Sequence, residues 1–235
     1  YLGYFGMLEQ GMYLGIYGGL YLVVGLVLTM GSRVIPFFIE RGVGYPVKLA
    51  NPMWSTVTGV IIFLIFFISE LFLHHPMITG YAAIGLFILY SVRLVGWHTK
   101  GIWSKSLLWS LYIAFGLITI GFLLFALSVF TGLSKYLAIH MFAYGGIGLI
   151  TMSMMARVSI GHTGRDVNEP PGPLKYIFVI FLLGVVARVI MPIVDLQNYY
   201  AWVIISQLFW ILAFLLFSIT FFKILILKRV DGKLG

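Results

Sequence analysis

The sequence predicts an all-α fold, a polytopic transmembrane helix bundle of about seven spans. Two features of composition and one pattern lead there. Hydrophobic residues make up 61% of the 235 positions and charged residues 9%, against about 25% charged in soluble domains, so lipid is the solvent that suits this chain. A hydrocarbon core roughly 30 Å thick takes about 20 apolar residues of helix to cross, and runs of about that length recur along the sequence. Residues that end helices separate the runs, because proline lacks an N–H donor and glycine permits irregular backbone.

The first run, Met12 to Gly31, precedes a segment holding Pro36 and Pro46. Trp54 to Leu73 starts after Asn51-Pro52 and stops before His75-Pro76. Ile78 to Gly96 follows, then Leu107 to Phe130, which ends at Thr131-Gly132, then Tyr136 to Ala156. Pro170-Pro171-Gly172-Pro173 separates this from Tyr176 to Met191, and Tyr200 to Ile226 is the last run. No sustained repeat, low-complexity tract or linker divides residues 1–235, which read as a single integral membrane domain.

With no cysteine, disulfides and thiolate metal sites are excluded, leaving imidazole, carboxylate, thioether and carbonyl as metal ligands. No cleavable signal peptide is expected, because the first run lacks a basic start and an A-x-A-like site. Tyr1 and its neighbours do not resemble a natural start, so a fragment is expected. The net charge of +8 reads as a topology signal rather than a nucleic-acid signal. Alternating spans collect Arg33, Arg41, Lys48, Arg93, Lys100, Lys105, Arg157, Arg165, Lys175, Lys223, Lys228, Arg229 and Lys233 on one side, and leave Lys135 and Arg188 elsewhere. The positive-inside rule then gives an external N-terminus and a cytoplasmic C-terminus.

On that topology His74, His75 and His140 lie toward the external face, and His98 and His162 toward the cytoplasm. His140 sits about one turn inside the fifth run, where an unpaired imidazole is costly and an ionisable group is a functional candidate. At 100° per residue His140, Tyr144, Ile147, Thr151, Met155 and Val158 share a stripe, with Gly145, Gly146 and Gly148 removing side chains beside it. A flat ligand fits such a surface; close helix packing explains the glycines equally well. Met141, Met152, Met154 and Met155 read as packing residues before they read as thioether ligands. Glu70 and His74, four apart, are placed to meet on one helix face, the carboxylate orienting the imidazole, or both ligating a metal, or both forming an interfacial polar pair. His75 points elsewhere. Arg188 has three options: snorkelling outward, pairing with Asp195, or binding the carboxylates of a cofactor held at His140. At the other face His98 and His162, with Ser159, Thr163 and the nearby glycines, form a possible second metal or anion site, although isolated interfacial histidines are ordinarily hydrated. Trp97 reads as an interfacial anchor, and Arg93, Arg157 and Arg165 as topology determinants. Nucleophile, P-loop, H-E-x-x-H and dinucleotide motifs are absent, which removes hydrolases and kinases and leaves histidine chemistry suited to haem or copper.

The stretch from His140 through "MMARVSIGHTGR", including Arg157, Gly161, His162, Thr163, Gly164 and Arg165, together with "GSRVIPFF", "RLVGW" and "LLW", resembles the NnrS family. The similarity runs in order over nearly the whole chain. Membership implies a multi-span membrane protein containing haem and copper and linked to nitric oxide metabolism and nitrosative stress. It implies haem b, with copper as a second cofactor, and the inner membrane of a bacterium. Relatives have about a dozen spans, so this chain is expected to be a C-terminal portion or truncated member. Many relatives place histidine where this chain has Tyr112, and basic residues where it has His98. Sequence position and motif together favour His140 as an axial haem ligand, then His162, His98 and His74, with Tyr144, Gly145, Gly148, Glu70, Arg157, Arg165 and Arg188 shaping the pocket. The expected role is handling nitric oxide or iron-nitrosyl species; the alternatives are a quinol-coupled electron-transfer subunit and a transporter of a metal complex or anion.

Overall fold

The computed structural model describes residues 5, 10–230 and 232; Lys233, one of the basic residues on the cytoplasmic side above, lies outside them. Seven helices among these residues are long and apolar enough to cross a membrane, and no strand occurs. They are α1 (Gly11–Gly42), α2 (Met53–Leu73), α3 (Pro76–Trp97), α4 (Ser106–Thr131), α5 (Lys135–His162), α6 (Leu174–Val194) and α7 (Tyr199–Ile226). Between helices, φ is positive at Gly44, Gly132 and Gly164, where the missing Cβ removes the usual penalty.

The first helix runs eleven residues beyond the apolar run and passes through Pro36. Pro36 has no N–H for the Ser32 carbonyl four residues earlier. The Asn51 side-chain amide donates to that carbonyl instead, at 2.8 Å. Within a bilayer such replacement by a neighbouring side chain is what makes an internal proline tolerable.

The middle of the bundle is α4, which packs against α1, α3 and α5 and touches α6; α6 and α7 pack on one another beside α5. Lipid offers no hydrophobic drive between helices, so association rests on close packing. Aromatic rings supply it. Phe66 meets Phe125 at 4.9 Å and Phe122 at 5.4 Å between centroids, edge to face, and Phe122 meets Phe142 at 4.8 Å. At one end Tyr45 ties the α1–α2 loop to the α3–α4 loop: its phenol accepts from the Gly101 N–H at 3.0 Å and bonds to the Thr99 hydroxyl.

Glycine lets Phe142 approach α4. A Cβ at Gly121 would lie 2.6 Å from Phe142 Cδ1, whereas one at Gly15 meets nothing within 4 Å. Gly121→Ala is expected to cost about 1–3 kcal/mol by overpacking, and Gly15→Ala to leave stability unchanged or slightly raised. Thermal unfolding in detergent checks the contrast, and equal effects at the two positions would refute this packing.

Candidate functional site

Three helices contain wide π-helical turns: Ser69–Leu73 in α2, Met141–Gly148 in α5 and Val186–Ile190 in α6. Such turns re-aim side chains relative to a regular helix and are frequent at functional sites. Glu70 lies in the first, His140 immediately precedes the second, and Arg188 is in the third. The third is followed by Pro192, which has no N–H for the Arg188 carbonyl.

Arg188 reaches across from α6 to α5, its Nη2 lying 2.9 Å from His140 Nε2. A guanidinium only donates, so Nε2 accepts and the neutral imidazole carries its proton on Nδ1. Arg188 Nη1 is buried and bonded to nothing among the described residues. Arg188 therefore neither snorkels nor pairs with Asp195, whose carboxylate accepts from the Asn198 amide and the Trp202 indole, each at 3.0 Å. Next to this pair Tyr144 donates to the Ser206 carbonyl of α7 at 2.8 Å, with its ring 4.6 Å from Trp210 and 5.3 Å from Phe181.

The glycine surface of α5 is occupied by the protein's own side chains. A Cβ on Gly148 would come within 2.7 Å of Phe181 and 3.0 Å of Trp210; one on Gly145 would lie 3.2 Å from Met141 Sδ and 3.4 Å from Leu117. The stripe expected from His140 to Val158 also divides. Tyr144 faces α6 and α7, whereas Thr151, Met155 and Val158 line an apolar groove against α1 with Leu26, Met30 and Ile35. The cause is the π-helical turn, which winds through fewer degrees per residue than the 100° on which the stripe rests.

The expected Glu70–His74 pair is replaced. The Glu70 carboxylate accepts from the Tyr13 hydroxyl at 3.1 Å and forms an ion pair with Lys135. The π turn and the left-handed His74 backbone, φ 49°, leave that imidazole exposed, its ring centroid 5.9 Å from that of Tyr13. Glu70, His74, Tyr13 and Lys135 line a cavity of about 390 Å³ with Phe125 and Ser128. Neither Tyr13 nor Lys135 is linked to Glu70 by the sequence, and only Lys135 carries a signal there. Its signal was its isolation from the other basic residues.

At the opposite end His98 and His162 have separate neighbours. His98 Nε2 accepts from the Trp103 indole at 3.1 Å and lies beside Tyr112. His162 is exposed on the last turn of α5. Arg165 donates to the Ile224 carbonyl near the end of α7 at 3.4 Å, and the Arg157 guanidinium stacks over Phe38 at 4.1 Å. Among the described residues no three or more of His, Asp and Glu gather as a metal site.

Asp195 belongs to the loop between α6 and α7. Hydrogen bonds from Asn198 and then Trp202 hold its carboxyl below the usual value. A carboxyl depressed by folding contributes stability above its unfolded pKa, near 3.9, and loses it as pH falls through the folded value. Asp195→Asn is therefore expected to lower Tm at pH 7, with the difference from wild type shrinking below about pH 4. A difference that stays constant across this range would contradict the assignment.

A family model described as NnrS protein matches residues 1–229. No curated protein and no solved structure matches the chain. The match spans all seven helices and both partners of the His140–Arg188 pair, and the chain belongs to the NnrS protein family.

Proposed function

We propose that this chain is a haem-binding membrane protein of nitric oxide metabolism, acting to relieve nitrosative stress, with His140 as its haem ligand. Family membership fits the nitric oxide role. The observation that carries the haem reading is the His140–Arg188 pair. It puts a neutral imidazole and a guanidinium with one unpartnered nitrogen side by side within apolar helices. An imidazole would hold haem iron, and a guanidinium would hold a propionate carboxylate.

The fit sets a condition. Nε2 is the nitrogen that Arg188 now occupies, so ligation by Nε2 requires Arg188 to release it, freeing the guanidinium for a carboxylate. Tyr144, Phe181 and Trp210 fill the space alongside, and a macrocycle there requires these rings to move apart. Haem iron supplies an open coordination position for a diatomic ligand. What the chain itself supplies is orientation by Arg188, apolar walls that nitric oxide partitions into, and a phenol anchored on α7. The resemblance also implies copper, but the described residues gather no set of three ligands for it, so none is assigned. The basic residues at one set of helix ends support a bacterial inner-membrane protein with its C-terminus in the cytoplasm.

The test is the reduced-minus-oxidised optical spectrum of protein purified after expression with haem available, for wild type, His140→Ala, Arg188→Gln and Tyr144→Phe. Wild type and Tyr144→Phe are expected to show the haem bands, His140→Ala to lose them while remaining monodisperse, and Arg188→Gln to keep weakened bands. A wild type without haem, or a His140→Ala spectrum identical to wild type, sinks the proposal.

A further inference from the structure

We propose that the N-terminus of α2 and the buried Arg93 guanidinium form a binding site for a small oxyanion. The Ser32 carbonyl that Pro36 leaves free draws in the Asn51 amide, and Asn51 Oδ1 in turn accepts from Arg93 Nη2 at 2.5 Å. The same nitrogen donates to Thr56 at 3.1 Å. Asn51 and Thr56 bracket Pro52 and the first turn of α2, so the guanidinium lies against that helix start. No side chain caps α2; the Ser55 hydroxyl bonds to the Pro52 carbonyl instead. A helix N-terminus presents unpaired N–H groups and positive potential, the usual setting for an anion.

The second observation is independent of that helix end. Arg93 is 4% exposed, and its Nε and Nη1 are buried without a partner, as are Trp97 Nε1 and Ser32 Oγ. The guanidinium carbon lies 5.3 Å from the Trp97 ring centroid. The three nitrogens can only donate, while the Ser32 hydroxyl can donate or accept, and Asn51 and Thr56 are bonded by Nη2. No carboxylate among the described residues lies within ion-pair distance of Arg93. The carbonyl end of α3 and the faces of Tyr90 and Trp97 offset part of the charge, but they give Nε and Nη1 nothing to bond. A buried cation at the positive end of a helix, with donors left over on both edges of its guanidinium, lacks a counter-charge with acceptor oxygens. An oxyanion provides both. The burial of Arg93 and Trp97 limits it to a small one, such as a free inorganic oxyanion. The exposed Met53 and Trp54 also give access to the phosphate of a lipid headgroup, which has the same chemistry.

The test uses the full chain in nanodiscs and follows Tm. In zwitterionic lipid, nitrate or inorganic phosphate is titrated against gluconate at constant ionic strength. In a parallel arm without these anions, phosphatidylglycerol replaces part of the lipid. A saturable rise in Tm is expected in one arm, abolished in Arg93→Gln. In Trp97→Phe, which keeps a ring and loses one donor, half-saturation should need about tenfold more anion, as expected for one hydrogen bond to a charged group. A response in the first arm identifies a free oxyanion, and a response confined to the second identifies the headgroup phosphate. No specific rise in either arm, or a rise of equal midpoint in wild type and Trp97→Phe, overturns the proposal even if Arg93→Gln fails to fold.

Discussion

A bilayer core contains no water, so a polar group placed there must find its partner within the protein. Much of this structure is organised by that requirement. Thr29, Thr119, Ser153 and Thr220 turn their hydroxyls back onto carbonyls of their own helices. Glu70 draws Tyr13 from α1 and Lys135 from α5. The carbonyl freed by Pro36 recruits Asn51, and Asn51 receives Arg93. Arg188 turns inward to His140. Against that background the buried, unpartnered nitrogens of Arg93, Arg157 and Arg188 stand out, because each belongs to a cation.

The helices meet the requirement by departing from regular geometry. The wide turns in α2, α5 and α6 fall at Glu70, beside His140 and at Arg188, three ionisable residues that reach from one helix to another. A regular turn places successive side chains about 100° apart; a π turn changes that phase locally and lets one residue reach across while its neighbours keep packing. The glycines of α5 serve the packing. They admit Ile118 from α4, Phe181 from α6 and Trp210 from α7, and so bring α5 close enough to its neighbours for Arg188 and Tyr144 to find partners.

The same geometry separates what the sequence discloses from what it conceals. The spans follow from run length alone, since hydrocarbon thickness sets helix length whatever the neighbours do. The end of α1 did not follow, because the helix continues through Pro36 only with help from Asn51, fifteen positions later. His140 and Arg188 each stand out as ionisable residues in apolar runs, but the sequence links them only through a cofactor; their direct bond joins residues 48 positions apart, which no local pattern relates. The stripe through Val158 and the Glu70–His74 pair failed for one reason: both assumed regular helix across residues that form π turns. Lys135 and Glu70 are 65 positions apart, and no local periodicity links them. Arg93 read as a topology charge because its depth depends on Asn51, Thr56 and Trp97 enclosing it.

The pairing of His140 with Arg188 fixes where the imidazole proton sits. Solid-state nitrogen NMR of histidine-labelled protein in lipid, with the His140 signals identified by a His140→Gln variant, measures this directly. A neutral ring with an unprotonated Nε2 and a protonated Nδ1, whose Nε2 shift changes in Arg188→Gln, is the result this structure requires. A protonated Nε2 on His140, or shifts indifferent to Arg188, would contradict it.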